Sequence, residues 1–372
     1  MKASHPLHVG LVATSLNTEH LRGMGRYLYD MTACTRPEHG MRWTVLGDDR
    51  RQPLLLPPGV DAIADVFDFR GHRFHLWEQL GVPLRAGRHN VDVLHYAENG
   101  LALWQPRPSV VTIHDTIPWE SDRDSYYLHR LLPAALRRCA AVITISESSR
   151  KDILARWPEL EPKLTVIPHG IQDEYFADDA AAIHPAMTKA LAGRQYLVYM
   201  GGSMQRKRFD WALQVLVHCN QTDLHMVACG FGSNSRDVAA ASLPDALRGR
   251  VHFAPYLSDT ELRALYRGAQ AVLYPTLYEG FGFPAVEAQA SGVPVLFSPL
   301  GSLSELIGPL AYTMDADDMP AWVASVERAR NLGEARAGMA RQARAWARRF
   351  QWSASFAQHL AVYKRARQPT LP

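Results

Sequence analysis

The chain has 372 residues, a length that suits two α/β domains better than a single hydrophobic core. Hydrophobic residues make up 47% of the sequence and charged residues 21%, and the formal net charge is +3. This balance is typical of a globular protein and argues against nucleic acid as a partner.

Short apolar, β-branched runs alternate with longer helical stretches in the first half, as expected for parallel strands joined by crossover helices. The first run, Leu7 to Leu16, is too short to cross a bilayer, and no apolar stretch of eighteen residues follows it. The strands predicted in this half are His8–Thr14, Trp43–Leu46, Val93–His95, Val110–His114, Ala141–Ser146 and Leu164–Pro168.

The segment Asp178–Ala192 carries no strand signal and is interpreted as a linker, after which the strand pattern starts again. The strands predicted beyond it are Tyr196–Met200, Leu224–Cys229, Val251–Phe253, Ala271–Tyr274 and Pro294–Phe297. Helices are predicted at Phe209–Cys219, Asp259–Arg267, Phe283–Ser291 and, by composition, Ala335–Arg365.

This order predicts an α/β protein of two Rossmann-like, doubly wound domains that face each other across a cleft. The domains are expected at residues 1–185 and 193–350, and the helix in 351–372 is expected to pack back on the first domain. Ligands of such sheets bind beyond the carboxyl ends of the strands, so the cleft is the expected site. Free buried thiols are expected at the four separated cysteines, Cys34, Cys139, Cys219 and Cys229.

Two patterns in the first half suggest ligand contacts. A Gly-x-Gly sequence, Gly23 and Gly25, follows the first strand, although on its own it indicates no more than a turn. A His-Asp pair, His114 and Asp115, stands at the carboxyl end of another strand. A lone histidine is more often structural, but this position would face the cleft. His169 is interpreted as structural, in a turn between the domains.

The second half begins with a strand, a glycine turn and a basic pair that enters a helix. Gly201 and Gly202 allow close backbone approach, and Arg206 or Lys207 can neutralise the charge of a leaving group. The sequence therefore predicts a cradle for a diphosphate, although a basic helix start is often only a surface feature.

The most specific pattern joins two glutamates through a glycine-rich turn and a helix start. Glu279 lies on the loop and Glu287 about one turn inside the helix, and the residues Gly280, Phe281, Gly282 and Phe283 lie between them. Backbone N–H groups at such a helix start can bind a pyrophosphate. One carboxylate can hold a ribose diol while the other contacts a donor sugar.

The string from Glu279 to Glu287 resembles the Glu-x7-Glu signature of the family-4 retaining glycosyltransferases of the GT-B fold. By this resemblance Glu279 would face the donor sugar and phosphates, Glu287 would hold the ribose, and His114 would contact the donor sugar. The glycine loop of Gly23 and Gly25 would approach the donor phosphates. The family often has Arg where this chain has Gly202, which leaves Arg206 to supply the second positive charge.

The resemblance implies substitution on the same face of the sugar without a protein nucleophile, the departing diphosphate accepting the proton of the acceptor. Charge stabilisation at the leaving group and orientation of the acceptor would then be the main catalytic terms. No Asp-x-Asp string stands at a strand end, so neither a metal nor another cofactor is expected.

Three other functions remain open at this stage. A nicotinamide-dependent Rossmann oxidoreductase would need a third glycine where the chain has Leu28, and it leaves the paired glutamates unexplained. A non-catalytic nucleotide-sugar-binding protein would be expected to lose the basic pair or the glutamates. A phosphorylase or an inverting transferase of the same fold is disfavoured only by the family likeness.

The Gly-Gly and Arg-Lys variant resembles that of bacterial polysaccharide enzymes that use GDP-mannose or a related deoxyhexose donor. This resemblance implies transfer of mannose or rhamnose from a GDP-sugar in bacterial polysaccharide or lipopolysaccharide biosynthesis. The acceptor, a saccharide or a lipid-linked glycan, is expected in the first domain, at Phe67–Trp77 and Glu120–His129. A cytoplasmic location is expected. For the segment Tyr126–Pro133, core packing and peripheral contact with the inner membrane both remain open.

Overall fold

The computed structural model describes residues 5–16, 18, 21, 23–47, 55–63, 76–121, 125–177 and 180–368. The chain divides into two compact units. The first comprises residues 1–170 together with 352–372, and the second comprises residues 171–351. The boundaries expected at 185 and 193 both fall inside the second unit.

Within its described residues, the first unit contains a sheet of seven parallel strands in the order β3-β2-β1-β4-β5-β6-β7. Leu7 of the central strand lies opposite Met41, and Val9 lies opposite Val93. Every residue of the central strand is buried, which explains its nearly continuous apolar sequence. The strands are β1 Leu7–Val12, β2 Met41–Leu46, β3 Asp61–Ile63, β4 Val93–Tyr96, β5 Ser109–Ile113, β6 Ala141–Thr144 and β7 Leu164–Val166.

Helices connect these strands and cover the sheet. Two of them are preceded by a π-helical turn, at Trp77–Gly81 and Tyr127–Leu131. The α-helices of this part are α1 Gly23–Ala33, α2 Val82–Arg88, α3 Ile117–Ser121, α4 Leu132–Arg138 and α5 Glu147–Arg156.

The second unit repeats this architecture with six described parallel strands in the order β10-β9-β8-β11-β12-β13. In both sheets the strand order reverses beside the first strand, the arrangement of doubly wound folds, and ligands bind at this reversal. The strands are β8 Tyr196–Met200, β9 His225–Cys229, β10 Val251–Phe253, β11 Ala271–Leu273, β12 Val295–Phe297 and β13 Ala311–Thr313.

The helices of the second unit pack on this sheet around an apolar core that includes Tyr199, Leu216 and Trp322. The segment expected to be a linker, 178–192, contains a short helix. Pro185 is the first residue of this helix. The helices are α6 Pro185–Leu191, α7 Phe209–His218, α8 Ser233–Ala241, α9 Asp259–Gly268, α10 Phe283–Ala290, α11 Met319–Arg330 and α12 Ala335–Ala347.

The last helix, α13 Trp352–Arg367, belongs to the first unit, where it packs on α1 and near β4 and β5. The segment 335–365, expected to be helical, thus contains two helices that lie in different units. Residues 348–351 separate them. A Cβ on Gly170 would lie 2.3 Å from the backbone nitrogen of Trp352. A glycine is therefore needed where the chain leaves the first unit, because the returning chain passes directly beside it.

The doubly wound α/β fold is confirmed, and so are all eleven predicted strands, with ends shifted by a few residues. The strands β3 and β13 were not predicted. The four cysteines are free, and three of them are buried. Among the described residues, no helix is long and apolar enough to cross a membrane.

Candidate active site

The turn after β8 can form only with glycine. Gly202 has φ of +68°, and a Cβ there would lie 2.4 Å from the carbonyl oxygen of Gly230. A Cβ on Gly201 would lie 2.4 Å from the hydroxyl of Tyr199. The backbone of this turn is therefore held close to the turn after β9 and stays free of side chains, as a diphosphate cradle requires.

The buried Tyr199 side chain holds this turn in place through its hydroxyl. Its hydroxyl donates to the carbonyl oxygen of Gly202 at 2.9 Å and lies 3.2 Å from the carbonyl oxygen of Lys207. Burial raises the pKa of this phenol, so it remains a donor. Because both ends of the turn are tied to one hydroxyl, the basic pair is fixed in place relative to the glycines.

Arg206, Lys207 and Glu279 form the charge cluster of the second unit. The Lys207 ammonium donates to Glu279 Oε1, and Arg206 Nη1 lies 3.1 Å from the same oxygen. Arg206 Nη1 also donates to the carbonyl oxygen of Tyr278 at 2.5 Å. The hydroxyl of Thr276 donates to Glu279 Oε1 at 2.8 Å. One carboxylate oxygen thus accepts hydrogen bonds from Lys207 and Thr276 and forms an ion pair with Arg206.

The charge balance of this cluster suits an anionic ligand. Two cations and one carboxylate leave a formal charge of +1, in surroundings where the Lys207 and Glu279 side chains are 13% and 11% exposed. Burial lowers the pKa of Lys207, and the adjacent Glu279 carboxylate opposes this shift. Glu279 therefore helps Lys207 to stay protonated until a second anion arrives.

The loop that carries Glu279 leads directly into α10. Gly282 has φ of +107°, and a Cβ there would meet the Leu303 side chain at 2.6 Å. The hydroxyl of Ser302 donates to the carbonyl oxygens of Glu279 and Phe281 at 2.7 and 2.8 Å. These bonds hold the loop at the start of the helix, where Pro284 stands in the first turn.

The residues expected between the glutamates differ in their surroundings. Phe281 and Gly282 are buried, whereas Gly280 and Phe283 are half-buried. The rings of Phe281 and Phe283 pack edge to face with centroids 5.2 Å apart. The backbone N–H of Phe283 lies in the first turn, where a helix offers donors to an anion.

Glu287 lies inside α10 and is buried. The hydroxyl of Tyr266 donates to its Oε2 atom at 3.3 Å. Burial raises the pKa of Tyr274 well above its usual range, and both Glu279 and Glu287 add to the rise. Both glutamates thus raise the pKa of Tyr274.

His114 lies in the first unit, directly after β5. Asn99, which has φ of +60°, accepts the backbone N–H of His114 on its side-chain oxygen at 2.7 Å. The ring nitrogen Nε2 lies 2.8 Å from the carbonyl oxygen of Ala97. Burial lowers the pKa of His114 to about 4, so the ring is neutral at neutral pH. Since a carbonyl can only accept, Nε2 carries the proton and Nδ1 keeps its lone pair.

His114 belongs to a histidine network that also contains His95, His169 and His359 and is joined through Tyr27. The ring of Tyr27 lies 5.3 Å from His114 and 4.6 Å from His169. Its hydroxyl lies 3.0 Å from Nε2 of His359. Burial lowers the pKa of all four histidines. His169, interpreted from the sequence as structural, packs in this network.

The two glycines predicted in the first unit differ. Gly25 is buried in α1, and a Cβ there would lie 2.8 Å from the carbonyl oxygen of Ser15. Gly23 is the first residue of α1, and no atom of the described residues would lie within 4 Å of a Cβ there. Close packing against Ser15 thus requires a glycine at position 25.

The structure therefore brings Arg206, Lys207 and Glu279 together beside Gly201 and Gly202 in one unit. Gly280, Phe281, Gly282, Phe283 and Glu287 follow on the same loop and helix, whereas His114, Gly23 and Gly25 lie in the other unit.

Sequence reasoning missed the residues that hold the site in place, Thr276, Ser302 and Asn99. Thr276 follows β11, close to the paired glutamates in the sequence. Its position could therefore have been used to predict a contact with the site. Ser302 and Asn99 lie in other loops, 23 and 15 residues from the groups they bind, and no local pattern marks them.

Two family models match the chain. The model described as Glycosyltransferase Family 4 matches residues 21–175. The model described as Glycosyl transferases group 1 matches residues 185–346. The two matches fall on the two halves of the chain and together include all of the predicted site residues.

Individual proteins are similar over most of the chain. O-antigen chain mannosyltransferase B of Escherichia coli is 26% identical over 85% of this chain and 81% of its own length. An MMP alpha-(1->4)-mannosyltransferase of Mycolicibacterium hassiacum is 28% identical over 77% of this chain and 66% of its own. The crystal structure of Alr3699/HepE of Anabaena has a TM-score of 0.70 at 16% identity, covering 95% of this chain and 98% of that one.

Proposed function

The chain belongs to the family-4 glycosyltransferases of the GT-B fold, and from this premise we propose that it transfers a hexose from a nucleotide-sugar donor to a glycan hydroxyl. The product would be a bacterial polysaccharide or lipopolysaccharide, with a saccharide or lipid-linked glycan as acceptor. The charge cluster beside a turn that only glycine can form is the observation that carries the proposal.

In the proposed reaction, the bond between C1 of the sugar and the diphosphate oxygen breaks, and its electron pair stays on the diphosphate. The acceptor oxygen forms a bond to C1 on the same face, and its proton passes to the departing diphosphate. Arg206 and Lys207 stabilise the charge that develops on the leaving group. The buried Glu279 helps Lys207 to stay protonated and would contact the donor sugar.

The remaining residues would bind and orient the donor. The backbone at Gly201 and Gly202 and the N–H of Phe283 would contact the diphosphate. Glu287 would accept hydrogen bonds from the ribose hydroxyls. His114, whose Nδ1 keeps a lone pair, would accept from a hydroxyl of the donor sugar.

We propose GDP-mannose, or a GDP-linked rhamnose, as the donor. Two relatives similar over most of the chain are named mannosyltransferases, which supports mannose. The Anabaena structure holds UDP and glucose, so UDP-glucose is the alternative donor to compare. A nicotinamide-dependent oxidoreductase has no support in the matched families.

Product analysis with purified protein tests the proposal. Incubation with GDP-mannose and a glycan acceptor should release GDP and give a product whose new linkage has the anomeric configuration of the donor, as read by NMR. Release of GDP with the opposite configuration would rule out the retaining mechanism. Failure to use any nucleotide sugar would rule out the transfer itself.

We also propose that the reaction needs no divalent metal, since Arg206 and Lys207 already oppose the diphosphate charge. Turnover in the presence of EDTA should then equal turnover with added Mg²⁺. Loss of activity in EDTA, with recovery on adding Mg²⁺, would contradict this part. The proposed location is the cytoplasm, with peripheral contact at the inner membrane.

A further inference from the structure

The residue that follows the basic pair, Arg208, has a left-handed backbone conformation. Its φ is +53° and its ψ is +55°, values that glycine and, less readily, asparagine adopt at low cost. Among the described residues other than glycine, φ is positive at three asparagines, at Ala192 and at Arg208. Ala192 follows the end of the short helix α6, whereas Arg208 adjoins Lys207 of the charge cluster. An unfavourable conformation at this place points to contacts that maintain it.

Arg208 forms the corner between the 3₁₀ turn Gln205–Lys207 and α7. Its N–H donates to the carbonyl oxygen of Gln205 at 3.0 Å and closes the turn. Its carbonyl oxygen accepts the N–H of Ala212 at 3.2 Å, in the first turn of α7. A change to right-handed φ and ψ would rotate the turn relative to the helix and carry Lys207 away from Glu279. The position of Lys207 therefore depends on the backbone of its neighbour.

The Arg208 side chain is held by two other segments of the second unit. Nη1 donates to the carbonyl oxygen of Ala316 at 2.7 Å, and Nη2 donates to Asp317 Oδ1 at 2.6 Å. The guanidinium lies over the ring of Trp211, 4.2 Å from the ring centroid. The Arg208 side chain is only 14% exposed. A planar guanidinium that uses two nitrogens and one face in this way has little freedom left.

The loop between β13 and α11, which receives the guanidinium, is fixed by bonds of its own. The indole N–H of the buried Trp322 donates to the carbonyl oxygen of Asp315 at 3.1 Å. The Asp318 carboxylate caps the start of α11. The carbonyl of Ala316 lies between these two fixed residues and is therefore a rigid acceptor for Arg208.

The three successive basic residues have different partners. Arg206 contacts Glu279 and the carbonyl oxygen of Tyr278, and Lys207 contacts Glu279. Arg208 contacts the β13–α11 loop instead, where an aspartate compensates its charge. Arg206 and Lys207 share a single carboxylate, so they keep an excess of positive charge for an anionic ligand.

We propose that Arg208 is a positioning residue for the proposed transfer: its bonds to the β13–α11 loop maintain the left-handed corner, and the corner places the Lys207 ammonium at the leaving phosphate. The inference rests on the proposed function, because Lys207 needs an exact place only if it stabilises the leaving group. Arg208 itself contacts no reacting atom. Its substitution therefore acts on turnover through Lys207 alone.

Three substitutions separate the side-chain bonds from the backbone conformation. Arg208→Ala loses the bonds and retains the unfavourable φ, so kcat with the nucleotide-sugar donor should fall about fiftyfold. Arg208→Lys keeps the charge but loses the two-nitrogen fork, and kcat should fall about twentyfold. Arg208→Gly also loses the bonds but adopts the left-handed corner freely, so kcat should fall only about fivefold. Single-turnover assays measure these values, and calorimetry should show the affinity for GDP weakening in the same order.

The decisive measurement is additivity with Lys207→Ala. In the double variant Lys207→Ala with Arg208→Ala, kcat should equal that of Lys207→Ala within about twofold, because no ammonium is left to position. A merely structural role would lower kcat by the same factor in both backgrounds, and that result would overturn the inference. Parental turnover in Arg208→Ala, or no gain in Arg208→Gly over Arg208→Ala, would also overturn it.

A matched control is Arg248→Ala, which breaks another arginine–aspartate pair of the same unit. Arg248 lies 2.9 Å from Asp245 and is 63% exposed. This variant should keep the parental kcat and affinity for GDP. The melting temperature of every variant shows whether it is folded, and if Arg208→Ala does not fold, Arg208→Lys takes its place in the additivity test.

Failure of the inference and failure of the proposed function give different results. Parental turnover in Lys207→Ala would contradict the proposed role of the charge cluster. A loss in Lys207→Ala, together with an additive loss from Arg208, would leave that role standing and overturn only the positioning role of Arg208.

Discussion

The two units share a doubly wound fold but differ in the polar groups that they bury beside the first strand. The first unit buries neutral rings, the histidine network around Tyr27. The second buries charges, Lys207 against Glu279 with Arg206 alongside. The same backbone thus supports an uncharged site in one unit and a charged site in the other.

This difference has a physical cause in the side chains that follow the strands. In the first unit, desolvation without a nearby carboxylate keeps the histidines neutral, because no counter-ion favours their protonated form. In the second, Glu279 offsets the desolvation of Lys207. The contrast predicts that substitutions in the charged site of the second unit have the largest effect on turnover. Acid, by contrast, should lower the stability of the first unit, which contains the neutral histidines.

The largest effect is expected from the charge cluster. Lys207→Ala and Glu279→Ala should each lower kcat about a thousandfold, since each removes charge stabilisation or its partner at the leaving group. The two variants should differ in their affinity for GDP. Lys207→Ala should bind GDP more weakly, because it loses a cation. Glu279→Ala should not, because it loses a carboxylate that repels phosphate. Single-turnover assays and calorimetry with GDP measure both quantities.

The controls for this comparison are Lys189→Ala and Asp237→Ala, at exposed positions of the same unit. They should retain parental turnover, and far-UV circular dichroism should show that all four variants are folded. Near-normal turnover in either cluster variant would remove that residue from the proposed site.

A smaller effect is expected at the glycines. Gly202→Ala should destabilise the second unit by about 3 kcal/mol, because it combines a left-handed φ with a contact to the Gly230 carbonyl. Gly249→Ala has a similar φ of +83° but open space and should cost about 1 kcal/mol. Gly23→Ala in the first unit should cost nothing measurable. Urea unfolding gives each value.

Equal losses in Gly202→Ala and Gly249→Ala would mean that backbone strain alone matters and that the two turns are not in close contact. A loss in Gly23→Ala would show that the start of α1 is constrained by contacts other than those of the described residues.

Acid is expected to act on the histidine network of the first unit, through stability rather than turnover. The pKa values of His114 and His359 fall from 6.5 to about 4 on folding. Their neutral state favours folding fully above pH 6.5, and this contribution is lost as pH falls from 6.5 towards 4. At about pH 5 the loss is about 2 kcal/mol for each such histidine. Hydrogen exchange should show the first unit opening before the second.

Removing one histidine should make this dependence shallower. In His169→Asn, the slope of unfolding free energy against pH between 5 and 6 should fall by up to about 1.4 kcal/mol per pH unit. An unchanged slope in His169→Asn would mean that this ring already carries a proton in the folded state.

The sequence was sufficient to predict the architecture of the two units, but it predicted the contacts within the site less completely. Buried parallel strands such as Leu7–Val12 carry a strong apolar signal, and the paired glutamates mark their own loop. The contact between Lys207 and Glu279 joins residues 72 positions apart and depends on side-chain packing. The ties from Ser302 and Asn99 likewise arise only once the loops are folded.

The most direct measurement for the central claim is the melting temperature of the purified protein with GDP, UDP, dTDP and ADP, in the parent and in Lys207→Ala. A ligand that binds only the folded state raises this temperature according to its concentration relative to its affinity. We predict a clear rise with GDP in the parent and a much smaller one in Lys207→Ala. No rise with any nucleoside diphosphate, or an equal rise in both proteins, would contradict the assignment of the charge cluster as the diphosphate site.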